Sequence, residues 1–335
     1  DPVELGWKPS IRTWLADLGD EEKDRACVLK KDDTEMKNAI MDLFDLLIED
    51  ANKFIAKECK QLVLTTELGR VNSLATMFES CISDPKLDVN KAMIIQVWLW
   101  CYIWTFGGCL VDTDWEKWDT FVRTQTEDIS EARLPTQSDL FSYCYNTKTK
   151  RWDPWTRMVQ TFRYDPEQPF FDMLVSTVDT VRFTEIMSKF VYVDYPVLFT
   201  GNTGVGKTSI AKNMLMNAEF QTKKNYQLNP LFINFSAQSN SPRTQEIIEL
   251  RLEKRRKNLY SAPLNKQLCI LIDDLNMPKP ETYFAQPPLE LVRQIIDQGG
   301  AYDRPEMFWK NYQGITIGSA CGPPGGARTT VPMRL

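Results

Sequence analysis

Apolar residues recur at helical spacing through the first third of the chain. Trp7, Ile11, Trp14, Leu15 and Leu18 lie three and four apart, so a short amphipathic helix is expected after Pro9-Ser10. Between Asp33 and about Lys60, Met36, Ile40, Leu43, Phe44, Leu47, Ile48, Phe54 and Ile55 form a second helical stripe. Residues 72–82 repeat the pattern with Leu74, Met77, Phe78 and Cys81. Residues 92–111 differ: 20 positions carry no charge and are interrupted only by Gln96, Thr105 and Gly107-Gly108. That length could span a membrane. The run stands alone, however, and its flanks (Lys91 before; Asp112, Asp114 and Glu116 after) form no basic cluster. Trp98, Trp100 and Trp104 sit in its middle rather than at its ends. It reads as a fully buried core helix ending at the glycine pair, with no membrane partner.

From about residue 140 the period changes. Residues 141–145 and 149–152 flank Asn146-Thr147-Lys148 and predict an aromatic hairpin. The domain boundary is expected at 140–165, with domains 1–145 and 146–335. Residues 170–177 lead into 178–182 and a helix to about Phe190. Beyond them strands and helices alternate. Residues 196–200, 231–235, 268–272 and 314–321 read as buried strands, and 209–216 and 287–298 as helices. Residues 246–259 read as a charged helix whose Lys254-Arg255-Arg256-Lys257 run is a solvated face, not a nucleic-acid surface. Strand–helix alternation gives α/β architecture: a parallel sheet, right-handed crossovers, and a ligand at the strands' C-terminal ends.

Composition narrows the chemistry. A chain of 335 residues suggests two domains, and 43% hydrophobic with 25% charged residues is ordinary for globular protein. The net charge of −5 offers no global field for nucleic acid. With no histidine, this chain has no histidine general base and no His–metal site. None of the eight cysteines forms a C-x-x-C pair and several lie in apolar runs, which argues for buried free thiols in a reducing compartment. Asp1-Pro2-Val3-Glu4 has no signal-peptide character and no initiating Met, and Arg334-Leu335 closely follows a strand, so a piece of a longer protein is expected.

The most specific signal is Gly201-Asn202-Thr203-Gly204-Val205-Gly206-Lys207-Thr208, which fits G-x-x-x-x-G-K-[ST] at every fixed position. The glycines allow a tight turn that aims backbone N–H groups inward. The lysine suits β- and γ-phosphates, and the threonine hydroxyl suits Mg²⁺. A strand before the loop and a helix after it put the phosphate at a helix N-terminus. Leu268–Ile272 followed by Asp273-Asp274 is the expected partner: an apolar strand ending in a carboxylate for Mg²⁺, then an acid that can orient a water.

The chain resembles the AAA+ motor ring of axonemal dynein heavy chains over essentially its whole length. The resemblance rests on residues 174–182, Ile233-Asn234-Phe235-Ser236-Ala237-Gln238, Asp273-Asp274-Leu275-Asn276-Met277-Pro278, residues 285–291, and Gly322-Pro323-Pro324-Gly325-Gly326-Ala327-Arg328. These look like the large subdomain of the third AAA+ module. Leu5-Gly6-Trp7-Lys8-Pro9 and residues 104–108 look like the helical small subdomain of the second. The Asp-Asp-Leu-Asn-Met-Pro run is more like axonemal than cytoplasmic chains.

The resemblance therefore implies an AAA+ P-loop NTPase sheet with flanking helices, preceded by a mainly helical AAA+ small (lid) subdomain. It assigns nucleotide, ATP or ADP, to Gly201, Asn202, Thr203, Gly204, Val205, Gly206, Lys207, Thr208 and Ser209. Adenine-side contacts go to Val175, Thr177, Thr180 and Arg182, and Mg²⁺ to Thr208 and Asp273. Asp274 is the water-orienting position and Asn234 the polar switch. Asp274 stands where active sites usually carry Glu, and the usual sensor Asn is replaced near Ser319–Cys321, so binding is expected and hydrolysis is left open. Arg328 and Arg334 lie where ring modules present arginines to a neighbour. The implied function is a regulatory nucleotide site in a minus-end-directed ciliary or flagellar motor. Its partners would be the remaining modules of the same heavy chain, a microtubule reached through a stalk outside this stretch, and dynein intermediate and light chains. An AAA+ remodeller or chaperone, or a purely structural nucleotide, are the alternatives.

Overall fold

The computed structural model describes residues 5–23, 25–162, 175–326 and 328–332. The described residues divide by their contacts into two units, one running to residue 162 and including Val175–Arg182, the other from Phe183 onward. The expected stretch 170–174, Ala327 and Arg334 lie outside the described residues.

The first unit is mainly helical: α1 (Lys8–Asp17), α2 (Thr34–Glu58), α3 (Glu67–Cys81), α4 (Lys91–Gly107) and α5 (Trp115–Gln125), followed by the hairpin β1 (Tyr143–Asn146) and β2 (Arg151–Pro154). Short polar side chains start three of these helices. Asp33, Thr66 and Asn90 accept from the amides of Met36, Gly69 and Met93, satisfying donors that a helix start leaves open. The uncharged run is α4, buried on every side rather than along a stripe. Trp98 meets Phe44 edge-on at 5.2 Å, and Trp104 meets Phe141 edge-on at 5.1 Å. Gly107 closes α4 because a Cβ there would lie 2.5 Å from Phe141 and 2.6 Å from Trp118. Among the described residues no helix is long and apolar enough to cross a membrane.

One cation is buried in this helical unit. Arg70 is 5% exposed and has no carboxylate among its hydrogen-bond partners. Its Nε and Nη2 donate to Asn52 Oδ1 at 3.2 and 2.8 Å, and its Nη1 donates to the carbonyl and hydroxyl of Thr65 at 3.0 and 2.8 Å. Replacing Asn52 by Ala removes the acceptor for two charged donors and leaves them in an apolar setting. Asn52→Ala is expected to cost about 2 kcal/mol, read as a lower urea midpoint at unchanged slope.

The helix α6 (Val178–Tyr192) leads into the second unit. There β3 (Val197–Thr200), α7 (Lys207–Leu215), β4 (Gln227–Asn234), α8 (Ser241–Glu249), β7 (Lys266–Asp273), α9 (Pro287–Gln298) and β10 (Ile315–Cys321) alternate, as expected except for the bounds of α8. The sheet runs β3-β10-β7-β4, every pair parallel. The strand β7 is buried from Gln267 to Ile272, as a central parallel strand covered on both faces must be. Met187, Val191, Ala211, Met214, Leu215, Cys269 and Leu271 pack as one core cluster.

The charged helix expected over 246–259 does not form. α8 stops at Glu249, and the chain turns into β5 (Glu253–Arg256) and β6 (Leu259–Ser261). With β9 (Trp309–Gln313) and β8 (Gly300–Tyr302) they make a second sheet of order β5-β6-β9-β8. Two effects oppose the helix. In a helix Lys254 and Lys257, three apart, and Arg251 and Arg255, four apart, would set like charges side by side. Tyr260 instead packs edge-on against Tyr312 at 6.3 Å, which requires the extended backbone. Lys257-Asn258 forms the connecting turn.

Behind this sheet lies a polar cluster. Lys310 Nζ is 2.9 Å from Glu249 Oε2 and 2.8 Å from Asp303 Oδ2, and Tyr312 donates its hydroxyl to Glu249 Oε1 at 2.6 Å. Burial pulls the Glu249 carboxyl up, but hydrogen bonds from Tyr312, Gln245 and Lys310 outweigh it and the net shift is down.

Candidate functional site

The sheet delivers the loop and the acid to one place. β3 ends at Thr200, the glycine loop follows, and α7 begins at Lys207. Gly204 and Gly206 both sit at φ 85, a left-handed backbone that other residues adopt at a cost. No side chain caps α7, so its first N–H groups are left for a ligand at the positive end of the helix dipole. Lys207 folds back over the loop and donates from Nζ to the carbonyls of Gly201 and Asn202 at 2.9 and 2.7 Å. Asn202, Thr203, Gly204, Val205 and Ser209 are exposed around it.

Thr208 and Asp273, from α7 and the end of β7, come together although 65 residues separate them: Thr208 Oγ1 donates to Asp273 Oδ2 at 2.7 Å. The second oxygen, Oδ1, accepts from the Asp274 amide at 2.9 Å. Asn234 ends β4, pairs with Asp273 in register and is exposed. Asp274 has φ 51, a left-handed conformation that Asp tolerates better than Glu. That backbone gives a local reason for the shorter acid. Cys321 ends β10, where a polar sensor would stand. It is buried, and burial pushes its thiol up to about 11, so it is uncharged at neutral pH despite Lys207 and Arg328 nearby. Ser319 is buried as well.

The residues fit the groups expected of them. The loop offers unpaired amides and a lysine for phosphate oxygens. A hydroxyl beside a carboxylate suits Mg²⁺, which takes few protein ligands and completes its shell from phosphate and water.

The other carried-over positions have these local surroundings. Val175 is exposed. Thr177 and Thr180 cap one another: Thr180 N donates to Thr177 Oγ1 at 3.2 Å, and Thr177 N to Thr180 Oγ1 at 2.7 Å. Arg182 pairs with Asp179 at 2.7 Å and lies over the rings of Trp115 and Trp104 at 5.0 and 5.9 Å. All four belong to the first unit, whereas the loop belongs to the second. Arg328 Nη2 is 2.9 Å from Asp274 Oδ1 in the same chain. Sequence reasoning missed this pairing and the polar framework of Asn276, Gln286 and Thr329 beside it. The only hint was the glycine–proline turn at 322–326, which brings the chain back.

A strand, a phosphate-type loop, a helix and a carboxylate-tipped strand in a parallel sheet define a P-loop nucleotide-binding module of the AAA+ kind. Two family descriptions match this chain: "P-loop containing dynein motor region" over residues 162–335 and "Dynein heavy chain AAA lid domain" over residues 40–157. The chain belongs to the dynein heavy-chain family. It is 44% identical over its full length to dynein axonemal heavy chain 6 of Homo sapiens, of which it covers 8%. It is 33% identical to dynein axonemal heavy chain 2 of Mus musculus, and 31% to the Dynein-1-alpha heavy chain of the flagellar inner arm I1 complex of Chlamydomonas reinhardtii. It covers 7% of each of those two proteins and matches them along its whole length.

Proposed function

We propose that this chain is part of an ATP-driven, minus-end-directed microtubule motor of the ciliary or flagellar axoneme. Its phosphate loop would be a regulatory nucleotide site that hydrolyses slowly. The motor reading is supported by full-length similarity to axonemal heavy chains. Residues 1–145 would then be the lid of the preceding module and 146–335 the nucleotide-binding subdomain, an assignment supported by the order of the two family matches. The remaining modules, a stalk to the microtubule, and intermediate and light chains would be its partners, in cytoplasm and axoneme. The adenine contacts of Val175, Thr177, Thr180 and Arg182 rest on the resemblance alone.

The observation that carries the binding role is the contact of Thr208 with Asp273, which sets a hydroxyl against a carboxylate one residue after Lys207, whose ammonium donates to two neutral loop carbonyls. Slow hydrolysis is favoured by Asp at 274 and by a thiol at Cys321, a weak hydrogen-bonding group where the resemblance expects Asn. ATP or ADP with Mg²⁺ supplies the ligand, and nucleotide held here would fix the angle between neighbouring modules.

The test uses the intact, gliding heavy chain, with nucleotide at this site identified by its loss in the Lys207→Ala variant. Labelled nucleotide should stay bound here through several gliding cycles, and Lys207→Ala in the otherwise intact motor should release it and alter gliding. Unchanged occupancy together with unchanged gliding would sink the proposal.

A further inference from the structure

We infer that Arg328 is a positioning residue that holds the Asp274 carboxylate away from a nucleotide's water, acting as a built-in restraint on hydrolysis. The inference rests on the reading above that Asp274 occupies the water-orienting position.

The geometry begins with the backbone. After β10 the chain turns at Gly322–Gly326, where Gly325 and Arg328 exchange a pair of backbone hydrogen bonds of 3.0 and 3.1 Å. The returning segment is fastened at its next residue. Thr329 N donates to Asn276 O at 3.0 Å, and Asn276 Nδ2 donates back to Thr329 O at 2.7 Å and to Gly322 O at 2.9 Å. Gln286 Nε2 adds a bond to Thr329 Oγ1 at 2.9 Å. Asn276 is 1% exposed, so these are interior bonds that fix where Arg328 starts.

The side chain is guided as well. It lies flat across Gly322: a Cβ on that residue would stand 2.9 Å from both Cδ and Nε of Arg328. A side chain at 322 would have to displace the end of Arg328 from its present path to Asp274. At the far end, Asp274 is turned by its left-handed backbone, its amide on Asp273 and its Oδ1 on Arg328. A carboxylate that orients a water must offer that water a free oxygen and its full charge. Here one oxygen is taken and the charge is offset by a guanidinium, whose donors hold a carboxylate more firmly than a single ammonium can.

Two routes to the same release make the test. Arg328→Gln removes the charge. Gly322→Ala leaves the arginine in place but pushes its flexible end off the path, and because Gly322 does not have a left-handed φ, alanine adds no backbone strain. In the intact heavy chain, with the other phosphate loops inactivated, each variant should raise the turnover number at this site about five- to tenfold. The KM should stay within twofold. The double variant should be no faster than either single one, because both remove the same contact. Arg328→Lys, which keeps the charge but loses the guanidinium's fork of donors, should fall between the parent and Arg328→Gln.

A KM change without a kcat change would mean that Arg328 serves binding and would overturn the inference. So would turnover that falls, or stays level, in both single variants while a fluorescent ATP analogue still binds. Should that analogue fail to bind the parent chain, the nucleotide-site reading itself would fall, which is a different result from bound nucleotide with unchanged turnover.

Discussion

Lys207→Ala should weaken nucleotide binding at this site about 100-fold, a loss of roughly 3 kcal/mol for charge-assisted bonds to phosphate oxygens. Lys207 now donates only to the neutral carbonyls of Gly201 and Asn202. Those partners cost little to leave, so the ammonium is available to an anion. For the same reason truncation should hardly disturb the free fold, by less than about 1 kcal/mol. Thermal shift then separates the two effects. At ligand concentration 100 times the parent Kd, bound nucleotide stabilises the parent by about 2.7 kcal/mol. The variant, with ligand only equal to its Kd, gains about 0.4 kcal/mol by the same relation. Equal gains in parent and variant would mean that the lysine does not touch the ligand.

How far the sequence carried the reading depends on whether a signal is local. The loop and its helix are local: glycine spacing sets the turn, and the lysine and threonine follow on the first helical turn. Asp273 was legible because a fully buried strand ending in an acid is a pattern in itself, and the sheet needed only to place it beside Thr208. The helix α4 was legible because an uncharged run with tryptophans at its centre fits an aromatic interior better than a lipid boundary. Residues 253–261 were not, because their charges suit a helix surface and an exposed strand alike. What decided between the two was Tyr260 meeting Tyr312, a partner 52 residues away. The Arg328–Asp274 pair is of the same kind, with a separation of 54 residues and no periodic signature.

Lys310→Met should loosen the second sheet more than any other single change there, by about 3 kcal/mol, the usual cost of breaking one side of a buried ion pair. Methionine preserves most of the side chain's volume, so the loss is electrostatic, including the ammonium that lies 5.2 Å from the centre of the Tyr260 ring. Lys310 is 6% exposed, and without its ammonium Glu249 faces only the hydroxyl of Tyr312 and the amide of Gln245. Hydrogen exchange of the β8 and β9 amides should read this at pH 7 as about a 100-fold loss of protection. The pH dependence gives an independent check on the cause. Lys310 holds the Asp303 carboxyl below its usual range by a direct hydrogen bond, and the net shift of Glu249 is also downward. A depressed carboxyl contributes stability above its unfolded value of about 4, and that contribution is lost as pH falls through the folded value. The amine of Lys310 is raised overall, since its bonds to Asp303 and Glu249 outweigh burial, so its contribution persists below its unfolded value and disappears only in strong base. The parent should therefore be flat through neutrality and weaken in acid. The gap between parent and variant should be widest near pH 7 and close in acid as Glu249 and Asp303 take up protons. A gap that stays constant down to acid would assign the loss to packing of the lysine stem instead of to its charge.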